Sequence, residues 1–225
     1  MDERRQGTTL VIACGAIAHE LVEVSKANGW QHLDIQCLPA QWHNTPDKIA
    51  PAVRLKIEQY KQPYQKIFVA YADCGTGGHL DKVLQEHNIE RLPGAHCYSF
   101  FAGESNFEAI ADAEPGTFYL TDYLARHFQR LVLDGLGITR HPQLRDQYFA
   151  HYTRLVYLRQ DTQGKRGESL LRDAQSAAAA LELPLEIVET GLVPFSHSLK
   201  PVRFDLTLQK TTAKKPNAIE PGYPL

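Results

Sequence analysis

The stretch that most constrains the fold of this chain is Thr8-Thr9-Leu10-Val11-Ile12-Ala13, an apolar, β-branched run with no alternation of polar residues. A strand wet on one face alternates; a strand covered on both faces does not. Helical spacing follows at once, with Ile17, Leu21, Val22, Val24 and Ala27 marking a stripe that ends at Asn28-Gly29. This strand-then-helix pattern recurs along the chain. Strands are expected over 32–38, 66–72, 92–96, 117–121, 152–158 and 184–189. Helices are expected over 79–87, 105–113 and 168–181. Thr45 is a candidate N-cap with Pro46 at the first helical position, and Ile49, Val53, Ile57 and Tyr60 form the stripe that follows. An amphipathic helix follows Asp122, and 135–150 reads as helical but interrupted at Pro142.

About seven strands alternating with helices predict an α/β fold: a mostly parallel, three-layer αβα sheet of Rossmann-like or flavodoxin-like kind. At 225 residues the chain is expected to form one domain over 1–207, with a polar, proline-containing tail over 208–225. A net charge of −2 gives no electrostatic reason for nucleic acid or an anionic membrane. No run reaches the ~18–20 apolar residues of a membrane span. The N-terminus lacks the pattern of an export signal, so a cytoplasmic location is expected. There the four cysteines stay reduced and available for metal or chemistry.

Three of those cysteines stand where a strand gives way to a helix: Cys14, Cys74 and Cys97. In parallel sheets ligands bind beyond the carboxyl ends of the strands. If the strand order is 2-1-3-4-5, the three lie on consecutive neighbours, ~4.8 Å apart from one to the next. Glycine after Cys14 and Cys74 lets backbone N–H groups turn toward sulfur, so Gly15, Gly75, Thr76 and Gly77 are candidate cofactor-binding positions. Cys37 falls inside a strand and reads as core. Three thiolates suit zinc, with His43 as fourth ligand, or a 4Fe-4S iron–sulfur cluster with one iron open; the spacing does not choose between them. His43, Glu104 and Asp122 are the candidate acid/base residues. His19 and Glu20, one turn into the first helix, read more readily as a solvated face. No Gly-x-Ser-x-Gly elbow supports a serine hydrolase.

The motifs Ala13-Cys14-Gly15, His43-Asn44-Thr45-Pro46, Cys74-Gly75-Thr76-Gly77, Gly94-Ala95-His96-Cys97-Tyr98 with Gly103, Phe118-Tyr119-Leu120-Thr121, and the 152–158 strand with Gly164 occur in this order. Through them the chain resembles a bacterial and archaeal family catalogued as domain of unknown function 1638, over about residues 8–195. Family members commonly carry an acidic residue where this chain has His96. The resemblance implies that Cys14, His43, Cys74 and Cys97 form one site, and it supplies no reaction. Relatives are often met near corrinoid-dependent methyl-transfer systems.

The reading these observations favour is a metal-dependent enzyme acting on a small molecule by lyase or group-transfer chemistry, methyl transfer included. Two alternatives stand beside it: a metal-binding accessory protein or carrier for a methyl-transfer system, and a metal-free enzyme using Cys74 as nucleophile. A small-molecule substrate is the expected partner, and homo-oligomerisation stays open.

Overall fold

β1 (Thr9–Cys14) lies in the middle of a parallel sheet, with β2 (Leu33–Leu38) on one side and β3 (Lys66–Ala70) on the other. Leu10, Val11, Ile12 and Ala13 have no exposed surface. Successive strand residues point to opposite faces, so both faces of β1 are covered, as the run without alternation requires. β4 (Glu90–Arg91) joins β3 at the far edge, giving the order β2-β1-β3-β4. The computed structural model describes residues 9–199; the expected tail over 208–225 lies outside them.

These four strands belong to the first of two units, formed by the described residues 9–97 and 196–199. After β1 a 3-10 turn, Gly15–Ile17, leads into α1 (Ala18–Ala27), which buries Leu21 and Val24. Two further 3-10 turns, Ala40–Asn44 and Pro46–Lys48, precede α2 (Ile49–Tyr60), whose buried residues Ile49, Val53 and Ile57 follow the expected stripe. Pro46 opens its turn as expected, but Thr45 makes no side-chain cap bond. α3 (His79–His87) starts at Gly78 and stops at Asn88, both left-handed.

The second unit comprises residues 98–195. It holds the short α4 (Tyr98–Ala102), α5 (Glu104–Ala113), β5 (Thr117–Thr121), α6 (Asp122–Arg126), a π-helical turn at Gln129–Asp134 and α7 (Gln143–Tyr148). β6 (Arg154–Arg159), α8 (Gly164–Leu181) and β7 (Leu185–Glu189) follow, and the boundary with the first unit falls inside α9 (Val193–Ser198). Its core gathers Leu120, Phe128, Leu155, Tyr157, Ala174, Ala177 and Leu181.

The α/β class and parallel pairing hold, but a single seven-stranded sheet does not form. β5, β6 and β7 make their own three-stranded parallel sheet in the order β5-β6-β7. The cause lies at β4. The expected strand over 92–96 does not form, and β4 stops at Arg91: Pro93 has no N–H to give a ladder and Gly94 turns the chain at φ 96°. An edge of two residues offers β5 too little backbone to pair with, and β5 pairs with β6 instead.

Candidate metal centre

Cys14, Cys74 and Cys97 all fall in the first unit, at or after the carboxyl ends of its strands. Cys14 is the last residue of β1 and caps the 3-10 turn after it, its sulfur accepting from the Ala16 N–H at 3.4 Å. Cys74 follows β3 by four residues. Cys97 comes after β4, and the backbone carries it back to its neighbours: Leu92 N–H donates to the Val69 carbonyl (3.1 Å), Asp73 N–H to Gly94 (3.1 Å) and Cys74 N–H to Ala95 (2.9 Å). The loop ending in Cys97 is therefore laced to the loop carrying Cys74, although the strand expected there is absent.

Arg91 holds this arrangement. Its guanidinium grips Asp81 in two places, at 2.6 and 3.0 Å, and donates to the carbonyls of Leu92 (2.7 Å) and Gly94 (3.2 Å). Cys74 itself has φ 50°, a left-handed conformation that costs an L-residue with a Cβ roughly 1–2 kcal/mol. Glycine or asparagine would fit this position with less strain, so the cysteine is held there against local preference.

The thiols feel one another. Burial pushes Cys74 up to about 12, and the Cys14 thiolate adds to the rise. Burial likewise raises Cys97 well above its ordinary value, with Cys74 and Cys14 contributing, and raises Cys14. Cys14 and Cys97 nevertheless keep part of their surface open. All four cysteines are free. Among the described residues, no group of three or more His, Cys, Asp and Glu side chains is placed to hold a metal ion as it stands.

His43 lies on the chain between β2 and α2, and both ends of that segment touch the cysteine loops. A Cβ on Gly15 would meet the Leu38 carbonyl at 3.1 Å and the Ala40 nitrogen at 3.4 Å; one on Gly75 would meet Pro46 at 3.7 Å. Gly15 thus serves close packing of this segment against the turn after Cys14. The His43 imidazole is exposed, yet protein crowds it enough to lower its pKa, with His96 beside it as the second cause. His96 is the residue before Cys97.

The glycine loop has its own anion. The Asp73 carboxylate accepts from the Thr76 hydroxyl (2.6 Å) and the N–H groups of Gly78 (3.1 Å) and Gly77 (3.3 Å). Burial would raise the Asp73 pKa, but these donors and Arg91 outweigh it and the carboxyl titrates below its usual range. Thr76 and Gly77 are therefore turned toward Asp73, which shapes the loop that holds Cys74.

Glu104 and Asp122 lie in the second unit. Glu104 is an exposed residue in the first turn of α5. Asp122 is buried and fully used: its carboxylate accepts from Tyr157 Oη (2.7 Å), Asp161 N–H (2.7 Å) and Gln160 N–H (3.1 Å). It ties the start of α6 to the end of β6, and Thr121 before it accepts from Leu124 N–H as the helix cap.

Three residues near the thiols were passed over or discounted by sequence reasoning. Tyr71 is 2 % exposed and its hydroxyl interacts with the Cys14 thiol. Burial raises its pKa well above 10, and the charges of Cys14 and Cys74 add to this. A tyrosine inside a strand buried on both faces was the available signal, since its O–H must find an acceptor there. Cys37, set aside as core, sits opposite Ala13 on the neighbouring strand; burial first, and Cys14 second, push it up to about 11. Glu20, taken for a solvated face, is 3 % exposed, and its charge reaches Cys97.

The model of a family described as a protein of unknown function, DUF1638, matches residues 37–199. That span is most of the chain, and the chain belongs to this family. The match takes in Cys37, His43, Cys74, Cys97 and the whole second unit, and begins after Cys14. No curated protein and no solved structure matches the chain.

Proposed function

We propose that this DUF1638 protein is an enzyme whose metal centre is held by Cys14, Cys74 and Cys97, and that the centre is a 4Fe-4S cluster. The observation that carries the reading is three thiols from three separate segments, each raised by burial, with the charge of Cys14 adding to the rise at Cys74 and the charges of Cys74 and Cys14 at Cys97. Buried thiolates that repel one another are what a cation neutralises, and metal uptake would release their protons. A lone zinc ion needs sulfurs about 2.3 Å from the metal and hence nearly touching one another. Three thiols carried by three separate segments suit a bulkier cluster, in which each sulfur meets a different iron.

Three protein thiolates leave one iron open to a substrate oxygen, nitrogen or sulfur atom, the Lewis-acid chemistry of lyases and group transferases. Around it this chain supplies the loop that Arg91 and Asp73 hold in shape, and the neighbouring, exposed His43 and His96 as acid/base groups. A metal-free nucleophile fits less well, because attack needs a thiolate and burial opposes ionisation at every one of these cysteines.

The test is a spectroscopic series on anaerobically reconstituted protein. Wild type should absorb in the visible, and give a cluster signal by electron paramagnetic resonance in the redox state where the cluster is paramagnetic. Serine at position 14, 74 or 97 should abolish or strongly weaken the signal, while Cys37→Ser keeps it. Equal spectra for wild type and Cys74→Ser, or none in any protein, would sink the proposal.

A further inference from the structure

Arg54, Arg91, Arg145, Arg154, Arg159 and Arg166 each face a carboxylate. Arg126 and Arg130 do not. Among the described residues no acid pairs with either of them, and both side chains are exposed. They belong to the helical run after β5, in which α6 ends at Arg126 and the π-helical turn Gln129–Asp134 follows. The acid of that turn, Asp134, accepts instead from Gln129 and from the Thr139 hydroxyl.

His127 completes the group. Its N–H donates to the Tyr123 carbonyl (3.2 Å) and its carbonyl accepts from the Leu131 N–H (2.9 Å), so the helical path continues through this stretch. Residues three and four apart then share a face, which brings Tyr123, Arg126, His127 and Arg130 together. The Tyr123 ring lies 4.5 Å from the imidazole, centroid to centroid, and braces it. Burial lowers the His127 pKa, and the charges of Arg130 and Arg126 lower it further. One cation is enough to answer the negative end of a helix, whereas like charges on adjacent turns repel. An anion seated among them turns that repulsion into attraction, and π-helical turns occur frequently at functional sites.

We propose that Arg126, His127 and Arg130 form an anion site on the second unit that takes the phosphate group of a small molecule. Two guanidinium forks and an imidazole N–H supply donors for three phosphate oxygens, whereas one fork already satisfies a carboxylate. From Tyr123 to Arg130 the face spans about two helical turns, ~10 Å. That length fits one phosphate group and is too short for the row of cations that a nucleic-acid strand needs. The site uses no cysteine and no metal, so it stands or falls apart from the cysteine centre.

The experiment titrates the full chain with inorganic phosphate and with glycerol 3-phosphate, at constant ionic strength set by sodium chloride. Histidine ring signals are read by NMR, and His127→Gln assigns the one that matters. Wild type should give a saturable shift of the His127 signal with both probes. Equal affinity assigns the site to free phosphate and tighter binding of glycerol 3-phosphate to a phosphate ester; either supports the proposal. Arg126→Gln and Arg130→Gln should each weaken binding roughly five- to ten-fold, with Arg130→Lys, which keeps the charge but loses the fork, in between. Both arginines are exposed, so these variants keep the fold. Arg172→Gln, which removes an exposed arginine of α8, should match wild type. A His127 signal that phosphate moves no more than chloride does, or equal affinity in wild type and both glutamine variants, would overturn the proposal.

Discussion

The metal-free protein should lose stability steeply in alkali, and Cys74 sets a measurable part of the slope. Cys74 is 7 % exposed and its thiol is pushed from 9.0 up to about 12, so the folded state holds the proton that the unfolded chain gives up. A raised pKa contributes stability that is fully present below the unfolded value and is lost as pH rises through the folded one. The window for Cys74 therefore runs from about pH 9 to about pH 12. At ~1.36 kcal/mol per unit, Cys74 alone costs about 1 kcal/mol at pH 10 and about 3 kcal/mol at pH 11. Cys14, Cys37 and Cys97 shift in the same direction and steepen the loss. The assay is urea denaturation of reduced, metal-free protein between pH 7 and pH 11, wild type against Cys74→Ala. Groups that do not feel the Cys74 charge cancel in the comparison, while Cys97 and Tyr71, which it raises, shift in the same direction when it is removed. The variant should be the less pH-sensitive by those amounts; parallel curves would refute the argument that Cys74 is buried among other thiols.

Three further outcomes follow from the geometry. Asp122→Asn turns one acceptor oxygen into a donor facing backbone N–H groups or the Tyr157 hydroxyl, and should cost about 1–3 kcal/mol by urea melt; a change below ~0.5 kcal/mol would show that the three bonds are not made. Iodoacetamide at pH 7 should alkylate no cysteine of the metal-free protein faster than a free thiol, since burial raises all four, and one fast-reacting residue read by mass spectrometry would revive the nucleophile reading. Arg91→Gln removes the grip on Asp81 and on the Leu92 and Gly94 carbonyls. It should lower metal retention several-fold for about 1–2 kcal/mol of stability, and unchanged retention in a chelator competition would show that the Cys97 loop holds itself.

Periodicity carried most of the local structure. The 117–121 strand and the 79–87 helix appear at their expected bounds, because glycine, proline and capping residues punctuate them on both sides. The order β2-β1-β3-β4 was also within reach, since sequential βα units build outward from β1. The break into two sheets was not legible. It depends on how many ladder bonds survive past Arg91, and 92–96 carries the same apolar signal whether it pairs or bends. The cysteine site was legible as three strand ends. Tyr71 and Glu20 were not singled out for it, because a tyrosine or a glutamate shows its burial only once neighbouring segments close over it. Asp122 misled in the opposite sense: an acid after a strand looks catalytic until its acceptors prove to be taken by Tyr157, Gln160 and Asp161.

Metal and sulfide content per chain, measured after purification without oxygen, tests the central claim most directly. The account predicts about four iron and four sulfide ions per chain, falling toward zero when Cys74 is replaced by serine. Protein from cells grown with ample iron and zinc that carries neither metal, in wild type and variant alike, would contradict it.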